Sequence, residues 1–501
     1  MDINKPDLKL FKKNYNSGKK QLLFLSFAAD VHTPVSALIK LKKEKYTFLF
    51  ESVEKGSQKG RYSVIGLKPD LIWECKNNKC NLRNFNHSKK KQIIDKRPLD
   101  SLKELMNSNK ISLSSDIPSI SSGLFGYMGY EMIQHFENIK LEKKNYLNLP
   151  DSIFIRPSIT LVFDNVNDKL IITKLVCKSS MKPEESFQKA KKEIFKIIGM
   201  INKPMPKETF SSVHQNKKIN IFKNVRSNTN FEEFKKMVNK AKKYIYEGEI
   251  FQVVISRVFK KKIETDSLSI YRALRYLNPS PYLFFMNFKD FSIVGSSPEI
   301  LIKLEDEKVT IRPIAGTRKR GKTKNEDEKL KNSLLNDPKE ISEHLMLLDL
   351  GRNDLSRVTK PGSVKVTDKM YIEYFSHVMH IVSNIEGDIK KNRNQTDVLF
   401  SGFPAGTVTG APKIRAIQII EELEKNRRNV YAGSVGYISA NGNIDTCIAL
   451  RTALIKDKYI YIQSGAGIVA DSKPVNEFKE TENKALALLT ACEEARNFKK
   501  C

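Results

Sequence analysis

The spacing of apolar residues changes character along the chain. Between residues 20 and 200, short apolar runs are broken by turn-forming residues: Tyr46–Glu51 reads YTFLFE and Arg61–Ile65 reads RYSVI. Runs of this length and composition predict strands. Ser158–Phe163 and Lys169–Val176 are both β-rich, and the DNVND stretch Asp164–Asp168 between them predicts a hairpin. From Glu184 to Ile198 the period switches, placing Phe187, Ala190, Ile194 and Ile197 on one helical face. Residues 201–229 carry Lys, Asn, Ser and Pro without periodicity, which predicts a linker. A helix follows over 230–247, with Phe231, Phe234, Met237, Val238, Ala241 and Ile245 as its apolar stripe and Gly248 as its stop. Strands and helices then intermix to the end, and no internal repeat interrupts them. The pattern is that of an α+β protein with large, mainly antiparallel sheets, in two regions, 1–200 and 230–501, joined by the 201–229 linker.

Two helix starts carry paired carboxylates. Asp337 is placed to cap a helix that has Pro338 in its first turn, and Glu340 and Glu343, three apart, share a face of it. The stretch Ser472–Glu480 repeats the arrangement with Pro474, Glu477 and Glu480, so that both glutamate pairs are expected in first turns. A single such pair is most often a solvated face. Four carboxylates converging from two helices would repel one another unless a cation joined them, and hard oxygen ligands suit a divalent ion such as Mg2+.

Arg451 lies in an apolar, strand-like run, where a guanidinium needs either a structural salt bridge or a ligand carboxylate. Gly465-Ala466-Gly467 follows the run Tyr459–Ser464 and reads as a turn exposing backbone N–H groups to an anion. Glu299, in Ser296–Glu299 (SSPE), is a candidate acid that desolvation would keep protonated. His380, among apolar neighbours, reads either as a satisfied core histidine or as its acid–base partner, with His377 three residues before it.

Composition narrows the classes. The chain has 501 residues, 40% of them hydrophobic and 9% aromatic, enough for a full core. The apolar runs are short of the roughly 18 residues a membrane helix needs, and Met1–Lys9 lacks a signal-peptide apolar segment, so a cytoplasmic protein without a membrane role is expected. The formal charge of +30 raises nucleic acid as a partner, yet the lysines are dispersed among glutamate and asparagine rather than gathered on one element; no nucleic-acid role is expected. Six cysteines are scattered, with Cys75 and Cys80 as a lone C-x4-C, which fits a reducing compartment better than a structural zinc.

The order of the motifs is more specific than any one of them. Gly248–Gln252 (GEIFQ), Ser297-Pro298-Glu299, Pro313–Thr317 (PIAGT), Glu340 and Glu343, His380, Arg451, Gly465–Gly467, and Glu477 and Glu480 together resemble the chorismate-binding enzymes, over nearly the whole chain. Gln252 and Ala315 point to the anthranilate synthase component I branch. That resemblance implies antiparallel sheets forming a sandwich flanked by helices. It implies a carbon–oxygen lyase that converts chorismate and ammonia to anthranilate and pyruvate, in the first step from chorismate towards tryptophan. It implies Mg2+ bound by Glu343 and Glu480 with Glu340 and Glu477 close by. Tyr431, Arg451 and Gly465, Ala466 and Gly467 would hold the enolpyruvyl end, Lys484 assisting, while Gly316 and Thr317 also touch substrate. Glu299, His380 and Gln252 would be catalytic. Leu49–Ser52 (LFES) and Asn278–Tyr282 (NPSPY) resemble the paired elements of tryptophan-inhibited enzymes, implicating Glu51, Ser52, Pro281, Tyr282 and Leu283; Phe50 and Leu283 are apolar departures from that pattern.

Two relatives in the same family make different products: isochorismate or salicylate synthases are expected to carry lysine in place of Gln252, and aminodeoxychorismate synthases lysine in place of Ala315. A catalytically dead homologue is disfavoured because no site residue is missing, and a basic RNA-binding protein because no such module is recognisable. None of the six cysteines has a glycine neighbour, as a glutaminase nucleophile on its tight turn would, and about twenty residues follow the glutamate face of the last helix. A separate glutamine amidotransferase subunit is therefore the expected ammonia source.

Overall fold

The computed structural model describes residues 6–41, 44–54, 58–86, 88–206, 220–375 and 378–498. His377 and the 207–219 stretch of the expected linker lie outside them. Among the described residues, 22 strands join in one sheet system in which every pairing is antiparallel, with helices packed on it. No helix among them is long and apolar enough to cross a membrane.

The local rules operate as expected where they are strong. The hairpin forms from Ser152–Asp164 and Lys169–Val176, closing on the pair Asp164↔Lys169. Asp164 braces the turn by accepting from the backbone N–H groups of Val166 and Asn167. The helix Pro183–Ile201 buries Phe187, Ala190, Ile194 and Ile197 against the hairpin and the strand Gln21–Ala28. Phe231–Tyr246 begins at a full capping box, in which Asn230 and Glu233 each satisfy the other's backbone N–H, and it ends at Gly248 with φ +77°, the left-handed conformation a helix stop favours.

Strands from the two halves of the chain interleave. Phe48–Glu51 is sandwiched between Tyr62–Lys76 and Tyr282–Asn287, in the registers Leu49↔Ile65 and Leu283↔Glu51. Tyr282–Asn287 pairs in turn with Ser292–Ser297, and Gly123–Met128 pairs with Ser434–Ser439. The three principal hydrophobic clusters all draw residues from both halves.

The centre of the sheet is the strand Gln252–Lys262 lying against Tyr459–Ile468. A buried ion network fixes what lies beside it. Arg428 holds Glu424 at 2.6 Å and donates to the carbonyls of Val408 and Val254, while Glu424 accepts from the backbone N–H and hydroxyl of Ser256. Every charge there is met, so removing one partner would cost about 3–5 kcal/mol.

Candidate active site

Two helices face each other across the end of this central pair. Asp337 caps Pro338–Ser356 as expected, accepting from the N–H groups of Lys339 and Glu340. The second helix spans Pro474–Glu494, with Lys473 at its cap position and no side-chain cap bond. Only Glu340 and Glu477 stand in first turns. Glu343 and Glu480, three residues further, lie in the second turn, a correction that follows from Pro338 and Pro474 opening their helices.

The four carboxylates sense one another. Burial raises the Glu343 carboxyl above its ordinary range, and the charges of Glu340 and Glu480 raise it further; burial and Glu480 do the same to Glu477. Glu340 leans on Arg318 at 3.1 Å and Glu480 on Lys484 at 2.7 Å. Among the described residues no three acidic, histidine or cysteine side chains stand close enough together to hold a metal ion. The glutamates therefore form a charge-coupled, oxygen-rich wall, not a closed cage. In donor type and in mutual repulsion they fit a hard divalent cation.

Gln252, buried at the start of its strand, donates from Nε2 to Glu343 at 3.3 Å, while its carbonyl oxygen is buried without a partner. Its amide is held over the Gly465–Gly467 segment. Here the structure corrects the sequence reading: these residues are not a turn but the end of the strand Tyr459–Ile468, paired with Ser256, Ile255 and Val254. The glycines are needed for closeness. A Cβ on Gly467 would stand 2.7 Å from the Gln252 amide nitrogen, and one on Gly465 would stand 2.8 Å from the Tyr431 hydroxyl. The strand is bare so that other side chains can lie across it.

Arg451 also departs from expectation. The strand Ile444–Ile448 stops before it and Thr452–Lys456 begins after it, leaving Arg451 in a kink at φ +44°. A non-glycine residue held there stores strain of order 1–3 kcal/mol, a signature common at functional sites. The backbone is held by Ser296 N–H donating to the Arg451 carbonyl. The guanidinium has no acidic partner among the described residues, and desolvation lowers its pKa. The structural salt bridge is thus absent, and the group is left for a ligand carboxylate.

Beside Arg451, His380 points Nδ1 at the Gly316 carbonyl (2.9 Å) and the Thr317 hydroxyl (3.1 Å). The carbonyl accepts, so Nδ1 carries the proton and Nε2 keeps its lone pair. Burial, with Arg451 and Lys484 adding to it, lowers the His380 pKa to about 4, so the ring is neutral at ordinary pH. Gly316 reaches this carbonyl geometry at φ +69°, next to Glu340. Lys484 donates to the Gly465 carbonyl at 2.9 Å.

Glu299 lies between the strands Ser292–Ser297 and Ile300–Glu305, fixed by Ile448 N–H donating to its backbone carbonyl. Burial pushes its carboxyl up to about 8, against weaker opposing pulls from Thr407 and Lys484. Thr407 escaped the sequence reading. Its hydroxyl is buried by the carboxyl without a hydrogen bond of standard geometry. The small-residue run Gly402–Gly410 that carries it was the available signal.

The family profile described as chorismate binding enzyme matches residues 47–490. Anthranilate synthase component 1 of Cereibacter sphaeroides is 44% identical over 493 residues, covering 97% of each chain. The chain belongs to the anthranilate synthase component 1 family of chorismate-binding enzymes. Its relative from Aquifex aeolicus is 41% identical over 98% of each chain. The crystal structure of component I from Streptococcus pneumoniae matches at a TM-score of 0.75 and 35% identity, covering 92% of this chain and 99% of that one. The Escherichia coli isochorismate synthase MenF, at 19% identity and a TM-score of 0.69, shares the fold.

The residues expected to bind an inhibitor do not all face one way. Glu51 and Leu283 are cross-strand partners and share a face, while Tyr282, one residue before Leu283, takes the other and donates to Asp445 at 2.7 Å. Glu51 is already engaged: Arg275 grips it through Nε (2.7 Å) and Nη2 (3.0 Å), and the Tyr271 hydroxyl donates at 2.6 Å. Ser52 and Pro281 are half-buried.

Proposed function

We propose that the chain makes anthranilate and pyruvate from chorismate and ammonia. The observation that carries this reading is the pairing of the partnerless Arg451 guanidinium with an oppositely charged wall of glutamates, the neutral acid Glu299 lying nearby. A dicarboxylate needs an anchor at each end. Arg451 clamps the enolpyruvyl carboxylate, with Tyr431 and the bare Gly465–Gly467 strand shaping that end. Glu343 and Glu480 would hold Mg2+, with Glu340 and Glu477 close by, and the ion when bound supplies charge for the ring carboxylate. Glu299, mostly protonated at neutral pH, donates to the departing ring hydroxyl. Neutral His380 offers Nε2 as acceptor for the ring proton whose loss accompanies pyruvate release.

Gln252 separates this chemistry from water addition. A neutral amide cannot deprotonate water at neutral pH, so ammonia, already nucleophilic, is the species the site accepts. We further propose that ammonia comes from a glutamine amidotransferase partner, that the reaction feeds tryptophan formation in the cytoplasm, and that tryptophan inhibits it through Glu51, Ser52 and the Pro281–Leu283 segment. For Glu51 to receive the tryptophan ammonium, Arg275 must release it. Inhibition then amounts to a coupling of about 1–3 kcal/mol between two packings of this region.

The test is incubation of purified chain with chorismate, Mg2+ and an ammonium salt, following anthranilate fluorescence. Anthranilate is expected with ammonium and none with glutamine alone; isochorismate or aminodeoxychorismate as the product would overturn the assignment.

A further inference from the structure

A cavity of about 450 Å³ lies outside the active site, further along the same sheet face. Paired residues on antiparallel strands share a face, so Val258 and Gln463, then Lys260 and Tyr461, continue the surface on which Gly465 and Gly467 lie under Tyr431 and Gln252. Tyr431 is the partition. Tyr431 lines the cavity, and its hydroxyl sits against Gly465, on the strand that carries the catalytic side.

The chemistry of this cavity is distinctive. No acidic side chain lines it among the described residues. Two of its arginines are already neutralised, Arg427 by Asp151 and Arg428 by Glu424. Three further cations are not: Lys144, Arg226 and Lys260 line it without an acidic partner among the described residues, and the Lys260 ammonium rests over the Tyr459 and Tyr461 rings. The remaining walls are apolar or aromatic, from Leu147, Val258, Leu454 and the exposed Tyr146. Amides of Asn228, Asn426 and Gln463 supply directional polar groups. A volume within the roughly 300–1,000 Å³ of small-molecule sites, ring-friendly walls and an uncompensated positive rim together select one class of ligand.

We propose that this cavity is a second, non-catalytic site for a ring-bearing organic carboxylate. The three cations meet its charge, the tyrosines and aliphatic walls cover its ring, and Tyr431 places the occupant directly behind the catalytic chamber. The ligand binds without displacing substrate, because Tyr431, which lines the cavity and meets Gly465, stands between the two spaces. The proposal does not depend on which product the catalytic site forms.

Benzoate is a suitable probe, titrated calorimetrically into the full chain. The Arg451→Ala variant, which removes the carboxylate clamp of the active site, should still bind one benzoate. Lys144→Ala/Arg226→Ala, both at exposed positions, should weaken that binding at least about tenfold while leaving the melting temperature and ammonia-dependent turnover unchanged. Lys260→Gln provides a second, independent loss. The proposal is overturned if benzoate shows no saturable binding up to about 10 mM, or if binding vanishes in Arg451→Ala and persists in the cavity variants. Inorganic phosphate displacing benzoate at equal concentration would equally overturn it, since any small anion would then suffice.

Discussion

Replacing Glu299 with glutamine isolates the role of its proton. The carboxyl is pushed from 4.5 to about 8 by burial, which disfavours its charged form by about 5 kcal/mol relative to the neutral one. At pH 7 roughly nine in ten molecules carry the proton, against about three in a thousand for an ordinary glutamate, a gain of about 300-fold in available acid. The sign is fixed by the direction of the shift: the proton is present below about 8 and lost as pH rises through it. Glutamine matches the neutral form in shape and polarity but cannot protonate a leaving hydroxyl. Glu299→Gln should therefore melt within a few degrees of the parent yet lose about 10²–10⁴ in kcat. The assay is anthranilate fluorescence at saturating chorismate and Mg2+ from about pH 6 to about pH 10, with total ammonium adjusted to hold free ammonia constant. The parent rate should fall above about pH 8 and the variant profile should be flat there. A parent rate still climbing past about pH 9, or parent-like turnover by the variant, would remove Glu299 from the proton transfer.

Glu343→Ala and Glu480→Ala should each leave a folded protein but abolish Mg2+-dependent turnover, which a Mg2+ titration of rate and a direct binding measurement would show; unchanged activity of both at limiting Mg2+ would refute their role. Gly467→Ala places a methyl 2.7 Å from the Gln252 amide nitrogen and should lower kcat more than KM, with Gly467→Ala/Gln252→Ala recovering stability but not rate, as paired melting and kinetic measurements would establish. Ser52→Phe should keep ammonia-dependent activity while raising the tryptophan concentration needed for half-inhibition; a parent enzyme indifferent to tryptophan at millimolar levels would show that Ser52 serves structure alone.

What was legible in the sequence was local. Asn230 with Glu233, and Asp337 with Pro338, announce helix starts because capping is decided within a few residues. The order of motifs picked out candidate residues that the fold brings near one another, such as Gln252 with Glu343 and His380 with Gly316, because each motif is short. Geometry that depends on distant partners was hidden. Gly465–Gly467 resembles a turn in composition, and only pairing with Ser256–Val254 shows that it is strand. Arg451 lies in an apolar run, and its kink is held by a residue 155 positions away, Ser296 of the strand Ser292–Ser297, whose N–H donates to its carbonyl. The engagement of Glu51 by Arg275 joins residues 224 apart and leaves no periodic trace.

Interleaved strands also govern how the chain comes into being. Glu51 waits for Leu283, and Gly126 for Gly436, before either edge is covered. At about 5–20 residues per second of synthesis, the first wait lasts on the order of 10–50 s. Through that interval the nascent first half presents unpaired, apolar strand edges, the feature that invites aggregation. Folding of the first half is therefore completed by the second, and a fragment ending within residues 201–229 would remain a protein with its edges open.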